Sequence, residues 1–112
     1  MIQDNARVGV VVPMFNAERT IRATLTSICQ QEHQALDIIV VDDGSTDQSA
    51  SIVASCAERD RRIRLMRQSN AGVTQARNSG AASTGAEFLA FVDADDLWAR
   101  TPGSAEKPRL AE

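Results

Sequence analysis

The chain has 112 residues, a formal net charge of −3, 43% apolar residues and only 4% aromatic residues. Its length suits one domain with a core of Val, Ile, Leu and Ala, and its charge disfavours nucleic acid as a partner, because binding phosphates needs a basic surface. No signal peptide is visible and no segment approaches the roughly 20 apolar residues of a membrane span, so the sequence predicts a cytoplasmic protein.

The first predicted elements are a buried strand and an amphipathic helix. Residues 8–12 form a continuous apolar run, which is typical of a strand covered on both faces in a parallel sheet, and Pro13 is expected to end it. Asn16 is placed to cap a helix. Apolar residues spaced three and four apart predict that this helix extends from about residue 17 to residue 31.

A second strand and helix follow in the same order. Residues 38–41 are again continuously apolar and predict another buried strand. Ser45 and Gln48 have the S-x-x-Q spacing of a capping box, in which both side chains satisfy free backbone amides. This spacing predicts a helix that ends near Arg59.

The remaining elements complete an alternating pattern. Residues 63–66 predict a third strand, residues 73–82 a third helix and residues 88–92 a fourth strand. The pattern predicts an α/β fold with a mostly parallel sheet of about four strands and alternating helices. Residues 100–112 contain Pro and Gly without an apolar period, so we expect an irregular or disordered tail.

Three polar clusters directly follow predicted strands, at residues 13–16, 42–46 and 93–96. In an open parallel sheet, ligands bind outside the carboxyl ends of the strands. We therefore expect all three clusters to lie along one edge of the sheet. This convergence is the main functional signal in the sequence.

The last cluster has the form of a cation site. If the segment is extended, Asp93 and Asp95 point the same way while Asp96 points away from them. Two carboxylates so placed suit a hard cation such as Mg²⁺ or Mn²⁺, which proteins hold with few carboxylates and substrate phosphates. The alternative is a simple acidic turn in which Asp96 caps the next segment.

Two other residues offer contacts to a nucleotide. One of the two carboxylates of Asp42 and Asp43 can accept hydrogen bonds from a base or ribose, although the same turn also makes sense as a strand-to-helix connection with Ser45 as the cap. Arg77, near the start of a predicted helix, can meet a diphosphate with its fork of donors. A surface ion pair is the alternative for Arg77.

Four ordered segments resemble family 2 glycosyltransferases. VPMFNAE at residues 12–18 resembles the V-P-x-Y-N-x-E opening, and IIVVDDGSTD at residues 38–47 resembles the most typical segment of the family. The N-x-G and A-R-N-x-G pattern recurs within residues 70–80, and FVDADDLW at residues 91–98 resembles F-L-D-x-D-D-x-W. The resemblance covers about residues 7–98.

The resemblance implies a GT-A-type, Rossmann-like nucleotide-sugar-binding fold over residues 1–99. Such enzymes transfer a sugar from a nucleotide-diphospho-sugar, often a UDP-sugar, to an acceptor hydroxyl with Mg²⁺ or Mn²⁺, usually with inversion. It further implies that Asp43 binds the base, that Asp93 lies near the ribose and donor sugar, and that Asp95 binds the metal. The remaining nucleotide contacts that the resemblance implies are Pro13, Glu18 and Arg77.

The sequence departs from the family in two respects. Phe15 stands where Tyr is usual, which removes a hydroxyl and keeps the ring. The family pattern also continues beyond the acidic segment with the acceptor site and the catalytic base, so we expect a truncated chain. No catalytic residue is assigned, and the acceptor, whether saccharide, lipid or protein, stays open. We also expect that an uncovered sheet face allows a homodimer.

Three other interpretations compete with this one. A haloacid-dehalogenase-like phosphatase carries its D-x-D motif after the first strand, whereas this chain carries it after the fourth. A dinucleotide-dependent oxidoreductase needs G-x-G-x-x-G after the first strand, where residues 13–16 have no glycine. The third alternative is a non-catalytic nucleotide-binding fragment or remnant of a glycosyltransferase.

Overall fold

The computed structural model describes residues 6–98 and the backbone of residues 110–111. In chain order its elements are β1 (Val8–Met14), α1 (Ile21–Cys29), β2 (Leu36–Asp42), α2 (Ser49–Arg59), β3 (Ile63–Arg67), α3 (Val73–Ala82), β4 (Phe88–Phe91) and β5 (Leu110–Ala111). The strands form one sheet in the order β3-β2-β1-β4-β5. The pairs β1–β2, β2–β3 and β1–β4 are parallel, and β5 is antiparallel to β4.

This architecture confirms the predicted α/β class with a mostly parallel sheet and alternating helices. The short strand β5 was not predicted, because it falls in the segment expected to be irregular. The other residues of that tail, 100–109 and 112, lie outside the described residues.

The strand β1 is the centre of the sheet, and all seven of its residues are buried. Val10 and Val12 join the core beneath α1 and α2, whereas Val11 joins a smaller core beneath α3. The strand continues through Pro13 to Met14, against our expectation. Pro13 is tolerated because pairing with β4 stops at Val11, so no neighbour there requires the N–H that proline lacks.

The three helices cover the two faces of the sheet unequally. Ile21, Leu25 and Ile28 of α1, together with Val53 of α2, fill the larger core and are fully or almost fully buried. Among the residues that the structure describes, α3 alone covers the other face, and Phe91 there is half-buried. Dimerisation through this face stays a prediction. No helix in residues 6–98 is long and apolar enough to cross a membrane.

The predicted start of α1 is wrong. The helix begins at Ile21, and Thr20 precedes it without a side-chain capping bond. Residues 17–20 form a turn in which the Ile21 N–H donates to the Ala17 carbonyl at 2.9 Å. Asn16 adopts a positive φ of 49°, and its side chain binds the loop after β2 instead of capping α1.

The predicted capping box before α2 is also wrong. The helix begins at Ser49, whose N–H donates to Asp47 Oδ1 at 2.9 Å, and the Gln48 N–H donates to Glu18 Oε1 at 3.0 Å. Ser45 Oγ instead accepts the N–H of Asn16 at 2.8 Å. Carboxylates from nearby loops thus satisfy the amides that the capping box was expected to serve, and they accept more strongly because they are charged.

We predict that Gly80→Ala destabilises the fold whereas Gly85→Ala does not. A Cβ at Gly80 would lie 2.4 Å from Val11 Cγ1 and 3.0 Å from Val41 Cγ2, so the branched side chains beneath α3 must move. The overpacking costs about 1–3 kcal/mol, against a helix-propensity gain of at most about 1 kcal/mol. A Cβ at Gly85 meets nothing within 4 Å, so Gly85→Ala is a matched control.

Urea unfolding of the two variants measures this difference. A Gly80→Ala protein as stable as the Gly85→Ala protein would show that α3 does not pack on β1 as closely as the structure has it.

Candidate functional site

The parallel register brings three loops to one edge of the sheet. Met14 at the end of β1 pairs with Asp42 at the end of β2, and the Asp43 N–H donates to the Met14 carbonyl at 2.8 Å. On the other side of β1, the Val92 N–H donates to the Val11 carbonyl at 3.1 Å. The polar clusters expected after these strands therefore lie together at the carboxyl edge.

Asn16 joins the loops that follow β1 and β2. Its Oδ1 accepts the N–H of Thr46 at 2.8 Å and that of Asp47 at 3.3 Å. The Glu18 N–H donates to Asp47 Oδ2 at 3.2 Å, while Glu18 Oε1 holds the start of α2. The carboxylates of Asp47 and Glu18 therefore stabilise the two loops, although Glu18 is exposed and lines a cavity.

Asp43 is almost fully buried, with 5% of its surface exposed, and its carboxylate anchors residues 68–72. Its Oδ1 accepts Gln68 Nε2 at 2.9 Å and the Ala71 N–H at 2.7 Å. Its Oδ2 accepts the Gly72 N–H at 3.0 Å and Asn70 Nδ2 at 3.5 Å. The hydrogen bond from Gln68, followed by those from the two backbone amides, holds the pKa of Asp43 below its ordinary value despite burial.

The neighbouring Asp42 is committed to the fold. It is fully buried, its Oδ1 accepts the Ser45 N–H at 3.0 Å, and its Oδ2 accepts Arg67 Nε at 3.2 Å. The sequence left open which carboxylate of this pair faces a ligand. Of these two residues, Asp43 lines one of the two cavities described below, and Asp42 lines neither of them.

Two cavities lie at the carboxyl edge, and Pro13 and Phe15 line both of them. The smaller, of about 260 Å³, is completed by Met14, Asp43, Asn70, Gly72, Val73 and Ala76. The larger, of about 450 Å³, is completed by Asn16, Ala17, Glu18, Arg19, Thr20, Asp47, Ala94 and Asp95. The side chain of Phe15 is 52% exposed and offers a ring face at the boundary between them.

The acidic segment is a turn, so our expectation of an extended segment was wrong. The Asp96 N–H donates to the Asp93 carbonyl at 3.0 Å, which folds the chain back. As a result, one carboxylate oxygen from each of Asp93, Asp95 and Asp96 lies within 4.8 Å of the others. Asp96 therefore joins the cluster instead of pointing away. All three residues are exposed, and three carboxylate oxygens match the donor preference of Mg²⁺ and Mn²⁺.

Arg77 lies next to this acidic turn. Its guanidinium Nη2 is 3.6 Å from Asp93 Oδ1, a long ion pair in which both side chains are about half exposed. Within residues 6–98, Arg77 Nε is buried and has no hydrogen-bond partner. The surface ion pair that we considered for Arg77 is thus present, and one donor remains unused.

Sequence reasoning missed two residues that hold Asp43. Gln68 binds Asp43 directly and is itself fixed by Ser79, whose hydroxyl donates to Gln68 Oε1 at 3.0 Å. Asn70 was noted only within the N-x-G pattern at residues 70–72 and was assigned no contact, yet its Nδ2 also donates to the Asp43 carbonyl at 3.0 Å. No local pattern marks such residues, because their partner lies 25 to 27 positions away in the chain.

Comparison with known proteins assigns the class and the family. A family model for glycosyl transferase family 2 matches residues 9–101. The chain resembles the mannosyltransferase PcManGT of Pyrobaculum calidifontis in complex with GDP-Man and Mn²⁺, with a TM-score of 0.79 and 30% identity over 89% of this chain and 31% of that one. It resembles S. aureus TarS 1–349 in complex with UDP-GlcNAc, with a TM-score of 0.77 and 31% identity over 84% and 28%. The fold is therefore of the GT-A type.

The chain belongs to glycosyltransferase family 2. It is 41% identical to the glycosyltransferase GlyA of Streptococcus pneumoniae over 90 residues, which are 80% of this chain and 13% of GlyA. It is 40% identical to the glycosyltransferase YibD of Escherichia coli over 96 residues, which are 86% of this chain and 28% of YibD. The chain thus spans less than a third of the length of these relatives.

We predict that Asp43→Asn lowers stability at neutral pH and flattens its pH dependence. The folded pKa of Asp43 lies below the unfolded value near 3.8, so its contribution is present above that value and is lost as the pH falls through the folded pKa. At pH 7 the side-chain NH₂ group of Asn would face a backbone N–H that Asp43 now accepts. The buried donor left without an acceptor costs about 1–3 kcal/mol of stability. Urea unfolding from pH 7 to pH 3 measures the difference.

The exposed Glu58→Gln in α2 serves as the control for removal of one carboxylate. An unchanged gap between wild type and Asp43→Asn at all pH values would contradict a lowered pKa at Asp43.

Proposed function

We propose that this chain binds the nucleotide-diphospho-sugar donor of a family 2 glycosyl transfer at the carboxyl edge of its sheet. The observation that carries the proposal is the meeting of an open cavity of about 260 Å³, an arginine and three exposed carboxylates at this edge. Two related structures support it, since TarS is in complex with UDP-GlcNAc and PcManGT with GDP-Man and Mn²⁺. Both ligands combine a base, a diphosphate and a sugar.

The base is proposed to enter the cavity of about 260 Å³ and to bind Asp43. Each carboxylate oxygen has two acceptor positions. Oδ1 uses both for Gln68 and Ala71, whereas Oδ2 has one good bond from Gly72 and a long one of 3.5 Å from Asn70. Oδ2 therefore retains capacity for an N–H donor of a base. Pro13 lines this cavity, and the exposed ring of Phe15 offers a stacking surface.

The diphosphate is proposed to lie between Arg77 and the acidic turn. The guanidinium of Arg77, whose side chain is about half exposed, can donate to a phosphate oxygen, with its charge already oriented by Asp93. Asp95 and Asp96 are the proposed ligands of a divalent cation, Mg²⁺ or Mn²⁺, with Asp93 beside the ribose and donor sugar. When bound, such a cation supplies Lewis-acid neutralisation of the charge on the departing diphosphate. Without it, three carboxylates would repel the phosphates.

The donor is proposed to be a UDP-sugar, and the reaction an inverting transfer to an acceptor hydroxyl of a saccharide, lipid or protein. That reaction needs a general base beside the acceptor. Glu18 and Asp47 are bound to backbone amides and Asp42 is buried, so we assign none of these three as the base. Donor binding without transfer is therefore the second candidate function of this chain.

We predict that the chain binds UDP and that Mn²⁺ strengthens this binding about tenfold, which corresponds to about 1.4 kcal/mol. Calorimetry with UDP, GDP and ADP, each with and without Mn²⁺, measures both effects and ranks the bases. Asp95→Asn and Asp96→Asn should each remove the Mn²⁺ dependence without weakening metal-free UDP binding, because the base contact at Asp43 is separate and one carboxylate fewer repels the phosphates. Glu87→Gln, an exposed carboxylate before β4, is the control.

Two outcomes would count against this site. If a folded sample binds no nucleotide, the donor-site assignment is wrong. If Asp96→Asn keeps the full Mn²⁺ dependence while Asp95→Asn loses it, the turn does not bring both carboxylates to one cation. Release of free sugar from UDP-GlcNAc, or its transfer to an added acceptor, separates an active enzyme from a binding fragment.

A further inference from the structure

Two hydroxyl groups from α1 and the residue before it hold the backbone of the acidic turn. Thr24 Oγ1 donates to the carbonyl of Ala94 at 2.8 Å, and Thr20 Oγ1 donates to the same carbonyl at 3.0 Å. Thr24 is fully buried. Ala94 lies between Asp93 and Asp95, so both hydroxyls fix the peptide that joins these two carboxylates.

The same side of α1 also holds the chain just beyond the turn. The backbone N–H of Trp98 donates to Ser27 Oγ at 2.9 Å, and Gln31 Nε2 donates to the Trp98 carbonyl at 3.2 Å. Trp98 itself is buried in the core beneath α1. The segment is therefore fastened both inside the turn, at Ala94, and two residues after Asp96.

We call Thr20, Thr24, Ser27 and Gln31 the polar stripe. Thr20, Thr24 and Ser27 have the spacings of four and three residues that belong to one helical face, and Gln31 lies two residues beyond the end of α1. This face borders the core, where a hydroxyl without a partner costs free energy, so the bonds to residues 94–98 are strongly favoured. Leu25 and Ile28, which are also buried on α1, are apolar. The polar stripe therefore supplies the hydrogen-bonding groups through which this side of α1 contacts residues 94–98.

The stripe acts on a group of like charges. The carboxylate oxygens of Asp93, Asp95 and Asp96 come within 4.8 Å of one another and are exposed, so they repel and would separate if the backbone were free. A turn that is fixed in advance loses less conformational freedom when a cation binds. Outer partners that orient metal ligands commonly change metal affinity by about 10- to 100-fold.

We propose that the polar stripe is a positioning device that sets the cation affinity of the acidic turn. Thr20 also lines the larger cavity, but its hydroxyl and that of Thr24 donate to the Ala94 carbonyl, so we propose neither as a ligand of the cation or the nucleotide. It acts through the carbonyl of Ala94 and the backbone of Trp98, which hold the three carboxylates in one cluster before any ligand arrives. This inference rests on the proposed cation site.

The test replaces single hydroxyls of α1 by methyl groups in the 112-residue chain. Thr24→Val removes one donor to Ala94, and Thr20→Val, at a half-buried position, removes the other. Thr26→Val is the matched control, because Thr26 is exposed on the same helix and donates only within it, to the Arg22 carbonyl at 2.9 Å. Thr24→Ser keeps the hydroxyl and tests for rescue.

We expect the Mn²⁺ dissociation constant, measured by electron paramagnetic resonance without nucleotide, to rise about tenfold in Thr24→Val and Thr20→Val. Thr26→Val and Thr24→Ser should bind Mn²⁺ like the wild type. Metal-free binding of UDP should be unchanged in all four, because the Asp43 cavity is separate from the stripe. Fluorescence of Trp98, the only tryptophan, should change in Thr24→Val in the absence of metal.

Each contrary result has a definite meaning. Wild-type Mn²⁺ affinity in both Thr24→Val and Thr20→Val would overturn the inference while leaving the cation site standing. An equal loss of metal-free UDP binding would show a general structural role, and it would overturn the inference as well. If the wild-type chain binds Mn²⁺ only together with UDP, the turn is not held for a cation in advance and the inference is overturned. If it binds no Mn²⁺ with or without UDP, the cation site in the proposed function is wrong as well.

Discussion

The site depends on one constraint, namely that β1 runs parallel to both of its neighbours. Because β2 and β4 pair with the same strand in the same direction, the loops after all three strands must emerge at one edge. This edge has many backbone amides with no strand partner. The polar loop residues satisfy these amides, and the bonds that they form across loops give the edge its shape.

The carboxylates at this edge differ in how far the fold itself uses them. Asp42 is paired with Arg67, and the carboxylate of Glu18 accepts a backbone amide at the start of α2. The acidic turn, by contrast, keeps three exposed carboxylates together, and within residues 6–98 only Arg77 pairs with one of them, at 3.6 Å. Asp43 stands between these extremes, since it holds the loop at residues 70–72 and still lines a cavity. Groups that are costly to keep together without a ligand are the natural candidates for binding one.

Much of the fold followed from local patterns, and the remainder depended on contacts between distant residues. The predicted bounds of α3 agree with the structure, and the buried strands were evident because β1 and β2 are apolar on both faces. The predicted start of α1 was wrong because Asn16 binds the loop after β2, 30 residues away, instead of capping its own helix. The capping box predicted before α2 was wrong because Glu18, also 30 residues away, accepts the N–H of Gln48. The predicted direction of the Asp96 side chain was wrong because the turn depends on one backbone hydrogen bond, from the Asp96 N–H to the Asp93 carbonyl, that residue types do not specify. The polar stripe of α1 has a periodic spacing, but its partner segment is about 70 residues further along the chain.

The proposed nucleotide-diphospho-sugar site at the carboxyl edge of the sheet can be tested directly. Backbone amide NMR of the chain titrated with UDP, followed by paramagnetic Mn²⁺, locates the ligand and the cation separately. We expect UDP to shift the amide signals of Ala71 and Gly72, and Mn²⁺ to broaden the amide signals of residues 93–96 most strongly. Signals from the groove between α1 and α2, lined by Leu25, Cys29 and Cys56, should not change. Shifts centred on that groove, with residues 70–72 and 93–96 unaffected, would contradict the account.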